Sequence, residues 1–139
     1  MPRGRKTVPA SRSEAKLFLA KSEQVLEECR SAVAAKRYDA ALLTAVHTAI
    51  SANDAVTVAL GGRRSSDPDH RRAADLLEEI AGPSPELRGH ARQFRDLLAR
   101  KSMVEYESRR AAPREAQDGL RRAERFVRWA REVVERARI

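Results

Sequence analysis

At 139 residues, 42% of them apolar, the chain holds enough sequence for one domain with a single ordinary core and little room for a second, catalytic one. With 35% charged residues and a net charge of +8, the folded surface is dense in charge and basic. The lone cysteine, Cys29, excludes an intrachain disulfide framework and a Cys-rich zinc site, no run of about 18 apolar residues exists to cross a membrane, and Met1–Arg12 lacks the apolar core of a signal peptide. The expected location is the cytoplasm.

The first ten residues contain Pro2, Gly4 and Pro9 and show no periodicity, so residues 1–12 read as a basic, mobile tail and 13–139 as the folded domain. Ser11 and Glu14 have capping-box spacing ahead of a first helix over about 13–35. Its seam is Ala15, Phe18, Ser22, Val25, Leu26, Cys29 and Val33. A second helix is predicted over 39–60, along Leu42, Ala45, Val46, Ala49, Ala52, Val56 and Leu60, with Gly61-Gly62 ending it. Asp67-Pro68 predicts a short third helix over 68–80, with Ala73, Leu76, Leu77 and Ile80 inward. Ser84-Pro85 opens a fourth over 85–110, and Pro113 a fifth to about Arg138 along Ala116, Leu120, Ala123, Val127, Ala130, Val134 and Ala137. No segment alternates long enough to make a strand, so no sheet is expected. The fold class is all-α: an antiparallel helical bundle of four long helices plus one short helix.

Polar residues stand on faces that should be apolar. Asn53 falls in the middle of the second seam. The fourth helix's inner face, Leu87, Ala91, Phe94 and Leu98, continues as Lys101 and Glu105, with Ser102 and Arg109 beside them. Either this helix outruns the core and Lys101–Glu105 is a solvated i,i+4 pair, or Asn53, Lys101, Glu105 and Tyr106 share a polar crevice, as a structural cluster or as a working active site. His47, Ser51 and Asp54 lie on the other side of the second helix, where two turns between His47 and Asp54 exclude a direct bond. His70, with Arg71 and Arg72, sits in the first turn of the third helix, either a phosphate-binding N-terminus or a solvated basic turn. Arg121, Arg125, Arg128 and Arg136, with Trp129 at their margin, make the fifth helix's outer face the best nucleic-acid surface, since arginine neutralises phosphate and indole stacks on bases. A solvated face in an Arg-rich chain is the alternative. No phosphate-cradling glycine loop, zinc signature or nucleophile elbow occurs, so no catalytic residue, metal or cofactor is assigned.

The order of these features resembles the HEPN domain family (higher eukaryotes and prokaryotes nucleotide-binding). Its carriers are the opening helix AKLFLAKSEQVLEECRSAV, the Ala-rich, Tyr-started KRYDAALLTAVHTAISANDAVTVALGG, the DPDH segment with His70, LLARKSMVEYESR in place of the segment usually written R-x-x-A-D-Y, with Lys101, Val104, Glu105 and Tyr106 in the matching places, and the closing AERFVRWAREVV. The resemblance implies a helical bundle that commonly dimerises. Extra apolar positions off the core seam, Leu17 and Val58, fit a homodimer. Many members are ribonucleases with an R-x(4–6)-H motif, often toxins silenced by a minimal nucleotidyltransferase partner; others are non-catalytic binding modules. Here Arg100 is followed by Lys101 and Glu105, and no histidine occurs up to Arg110. Arg63 or Arg64 with His70 satisfies the string, but ahead of the third helix rather than at the motif position. The leading expectation is therefore a non-catalytic binding module for RNA, a nucleotide or a protein partner, within a toxin–antitoxin or defence system. The alternatives are a metal-independent ribonuclease with a displaced motif, its candidates Arg64, His70 and Glu105, and a dimeric scaffold.

Overall fold

The computed structural model describes residues 6–139. Among the described residues five α-helices follow one another: α1 (Ala15–Ala34), α2 (Tyr38–Gly61), α3 (Arg71–Ala81), α4 (Pro85–Tyr106) and α5 (Pro113–Arg136). The fold is an all-α bundle of four long helices and one short one, as the seams predict. α2 is its axis. Its apolar residues occupy every side rather than one stripe, and the chain buries them accordingly: Ala41, Leu42, Val46, Ala49, Ala52, Ala55, Val56 and Ala59 are all fully inaccessible. Val58, read as an off-seam contact for a second copy, is fully buried as well. Alanine along α2 lets neighbours approach closely; where α5 crosses it, a Cβ on Gly119 would stand 3.0 Å from Leu42 Cδ1.

Local chemistry sets the helix ends. A single 3-10 turn at Arg12–Glu14 precedes α1, and the Glu14 carboxylate accepts from the Ser11 N–H at 2.7 Å. Gly62 ends α2 in the left-handed region at φ 65°, its N–H donating to Val58 O. The Ser84 Oγ accepts from Leu87 N at the start of α4.

Four expectations need correction. Thr7–Pro9 forms β1 and pairs antiparallel with β2 (Arg63–Ser65) in register Thr7↔Ser65, Val8↔Arg64 and Pro9↔Arg63. A small sheet therefore exists, and the chain from Thr7 onward is tied to the bundle rather than trailing from it. Three-residue strands are too short to show a period of two. Residues 1–5 of the expected tail lie outside the described residues. α3 begins at Arg71, not Pro68, because Asp67 and Asp69 bend the chain instead: Asp67 Oδ1 accepts from Asp69 N at 2.9 Å and Asp69 Oδ1 from Arg71 N at 3.1 Å. α4 stops at Tyr106 rather than Arg110, so Arg109 is not on its face. The following segment is fastened elsewhere, with Ala111 N donating to Asp39 Oδ1 at 2.6 Å and Arg109 pairing with Glu115 at 2.9 Å.

Candidate functional site

His70 stands at the entrance of α3, half-buried, between two cavities. The larger, about 670 Å³, is a groove between the start of α3 (Pro68, Asp69, His70, Arg71) and one side of α4 (Arg95, Leu98, Ala99, Lys101, Ser102, Tyr106). The smaller, about 230 Å³, lies between α2 and the β2–α3 connection and is lined by Ile50, Asp54, Arg64, Ser65, Ser66, Asp67, His70 and Ala73. Arg64 and His70, neighbours only as a string in the sequence, thus face one cavity.

The groove is basic but tethered. Arg71 pairs with Asp69 at 3.0 Å while remaining 77% exposed. Arg95 reaches across from α4 to Asp75 at 2.7 Å and Glu78 at 2.9 Å on α3, which fixes the groove's width. Lys101 pairs with Glu105 one turn along α4. Tyr106 closes the end of the helix with 77% of its surface exposed. Burial pushes the His70 imidazole below its ordinary value, and the charges of Lys101 and His47 push it further the same way, so the ring is neutral at pH 7.

The smaller cavity holds the most displaced acid of the described chain. Burial pushes the Asp54 carboxyl up to about 7, although Arg64 and then Lys21 pull it down. Among the described residues no hydrogen bond reaches this carboxylate. Both cations also lie over the Phe18 ring, Arg64 at 5.6 Å and Lys21 at 5.9 Å from its centroid, which holds them beside α2.

The other residues singled out by the sequence are dispersed. Asn53 is buried in the α2–α3 contact, where Nδ2 donates to Ala73 O at 3.1 Å and Oδ1 has no partner among the described residues. Its hydrogen bond thus goes to α3 and not to Lys101 or Glu105. Those two form an i,i+4 pair at the edge of the groove, with Lys101 18% and Glu105 38% exposed. Glu105→Ala is accordingly expected to cost only a few tenths of a kcal/mol in thermal unfolding; a loss above about 1 kcal/mol would show that the pair anchors the bundle. On α5, Arg125, Arg128 and Arg136 are exposed and Arg121 pairs with Asp118 at 3.7 Å. Trp129 does not join them: it is 7% exposed and stacks on His90, with ring centroids 4.2 Å apart and an interplanar angle of 11°. The arginine stripe therefore lacks the stacking platform assigned to it. Arg100 is also engaged, clamped with Arg122 onto Asp118 across α4 and α5. Burial raises the Asp118 carboxyl, but those two guanidiniums outweigh it and hold it below the usual range.

Sequence reasoning missed Arg95 and the joining of Asp54 with Ser65 and Ser66. One signal was available: Asp54 is the only carboxylate of α2 beyond its first turn. A comparison with curated proteins finds no match to this chain. The family model described as HEPN domain matches residues 15–133.

Proposed function

Because the chain belongs to the HEPN domain family, its matched span covering all five helices but the last few residues of α5, we propose that it is a non-catalytic binding module for a nucleotide or RNA. Phosphate is held in the groove between α3 and α4. The observation that carries this reading is the convergence of Arg71, Arg95 and Lys101, beside the neutral His70 ring, from two helices on one open groove, with exposed Tyr106 at its end. Cations neutralise phosphate, and a phenol ring offers a face to a base. The non-catalytic part is supported at the position of the family's R-x(4–6)-H segment. There Arg100 is committed to Asp118, and Glu105 stands where an imidazole is needed for proton transfer near neutral pH.

The test is titration of a fluorescent oligoribonucleotide. Binding is expected to weaken steeply with salt. Lys101→Ala combined with Arg71→Ala should weaken it by about tenfold or more with little change in melting temperature. Undiminished binding in that variant, with loss in Arg125→Ala/Arg128→Ala, would move the site to α5.

A second reading, a metal-independent ribonuclease, is favoured by Arg64, His70 and Asp54 sharing one cavity. The binding reading expects labelled RNA to stay intact in excess EDTA. Cleavage that survives repeated purification and vanishes in His70→Ala would establish the second reading instead. The same proposal includes a homodimer in the cytoplasm, for which Leu17, 68% exposed on α1, is an apolar contact. It also includes a minimal nucleotidyltransferase partner in a toxin–antitoxin or defence setting.

A further inference from the structure

The Asp54 cavity calls for a ligand of its own. The Asp54 carboxylate, part-buried on an apolar helix with no hydrogen bond among the described residues, loses part of its solvation and keeps the rest through the cavity. A ligand that brings N–H donors restores it. The cavity, about 230 Å³, has several times the ~30 Å³ share of one water, the scale of a fused two-ring base. It adjoins the groove through His70, so a base in the cavity and a phosphate in the groove would belong to one molecule spanning that imidazole.

Resting on the reading of the groove as a phosphate site, we propose that the Asp54 cavity is a base subsite selective for guanine, and that the module binds guanine nucleotides. Among the common bases only guanine presents two adjacent donors, N1–H and N2–H, on its Watson–Crick edge. Two carboxylate oxygens accept both in the bidentate manner that arginine satisfies elsewhere in proteins. Adenine would set its N1 lone pair against the carboxylate, and uracil and cytosine would each set a carbonyl there. The other lining groups suit the rest of the ring. Ser65 Oγ already accepts from Asp67 N at 3.3 Å, which leaves its O–H to donate to O6. The Arg64 guanidinium is of the type that reads guanine O6 and N7. The neutral His70 ring supplies a flat wall on the groove side. The raised proton affinity of Asp54 in the free protein accords with a carboxylate whose partner is a ligand.

The experiment is calorimetric titration of the full chain with GMP, IMP, AMP and XMP. GMP is expected to bind about tenfold or more tighter than IMP, which lacks the N2 donor, and tighter still than AMP. Asp54→Asn should lose the preference for GMP and gain one for XMP, because a carboxamide offers the N–H that xanthine's C2 carbonyl accepts. Lys101→Ala should weaken all four ligands alike and so reports on the phosphate site separately. Equal affinities for GMP and AMP, unmoved by Asp54→Asn while Lys101→Ala still weakens both, overturn the guanine assignment and leave the groove reading standing. No binding of any mononucleotide or of an oligoribonucleotide overturns both. A uridine-rich oligoribonucleotide with one guanosine is expected to bind more tightly than the all-uridine oligomer of the same length, and equal binding of the two, with GMP still preferred over AMP, places the subsite's ligand among free nucleotides rather than RNA.

Discussion

Asp54→Asn is expected to stabilise the protein, by about 2–4 kcal/mol above pH 7 and by progressively less towards pH 4. In the unfolded chain Asp54 ionises near the 3.8 of a solvated aspartate, whereas burial in the fold pushes it up to about 7. Between those values the native state holds a proton that the unfolded state releases. This group's contribution to stability is therefore full below about pH 4, falls as pH rises, and is gone above the folded value. That separation corresponds to about 4 kcal/mol at most. Asparagine carries no such dependence. Urea unfolding of both proteins at about pH 5, 6.5 and 8 measures the difference directly; a gap that stays constant across that range would show that the carboxylate is solvated in the native state. A stabilised variant that has lost its base preference would identify the residue as one held for function at a cost to the fold.

Phe126→Ala is expected to cost about 3–5 kcal/mol, far more than truncation of any exposed side chain. Phe126 is 1% exposed and joins α5 to α4 through Phe94, with ring centroids 5.5 Å apart, while meeting Trp129 edge-on at the same separation. Removing the ring opens a cavity between two helices whose other contacts are fixed by the Arg100–Asp118–Arg122 clamp, so the gap cannot close by sliding. Leu17→Ala, at a position 68% exposed, should change the denaturation midpoint very little. A Phe126→Ala loss below about 1 kcal/mol would mean that Phe94 and Trp129 repack into the space.

The helices were legible because each buries a face whose spacing survives in the sequence. Leu87, Ala91, Phe94 and Leu98 line the core along α4, and Ala116, Ala123, Val127, Ala130 and Val134 do so along α5. Starts fixed by proline, at Pro85 and Pro113, fall where predicted. Asp67-Pro68 carries the same signature as Ser84-Pro85, yet a second aspartate two residues on turned it into a bend; competing caps of similar strength are decided by the packing around them. The β1–β2 pairing joins segments more than fifty residues apart and has no local pattern at all. For the same reason the site was only half visible. His70, Lys101 and Tyr106 stood out by type, whereas Asn53 lay on the right face of α2 but one helix away from its assumed partners, and its true partner is a main-chain carbonyl that any residue could supply. Trp129 was misread because a residue at the margin of a seam is placed by its neighbour across the interface, here the imidazole of His90.

That imidazole–indole stack gives the protein an optical property. Trp129 is the single tryptophan in the chain, so its emission reports one place, the contact of α5 with α4. A protonated imidazole in face-to-face contact accepts an electron from excited indole and darkens it, while a neutral one does so far less. Burial holds His90 below its ordinary value of 6.5, so the native protein stays bright at neutral pH and dims only in acid. Unfolding separates the rings and removes that dependence. The intensity ratio between acid and neutral pH thus records, without any label, whether the two helices are still in register.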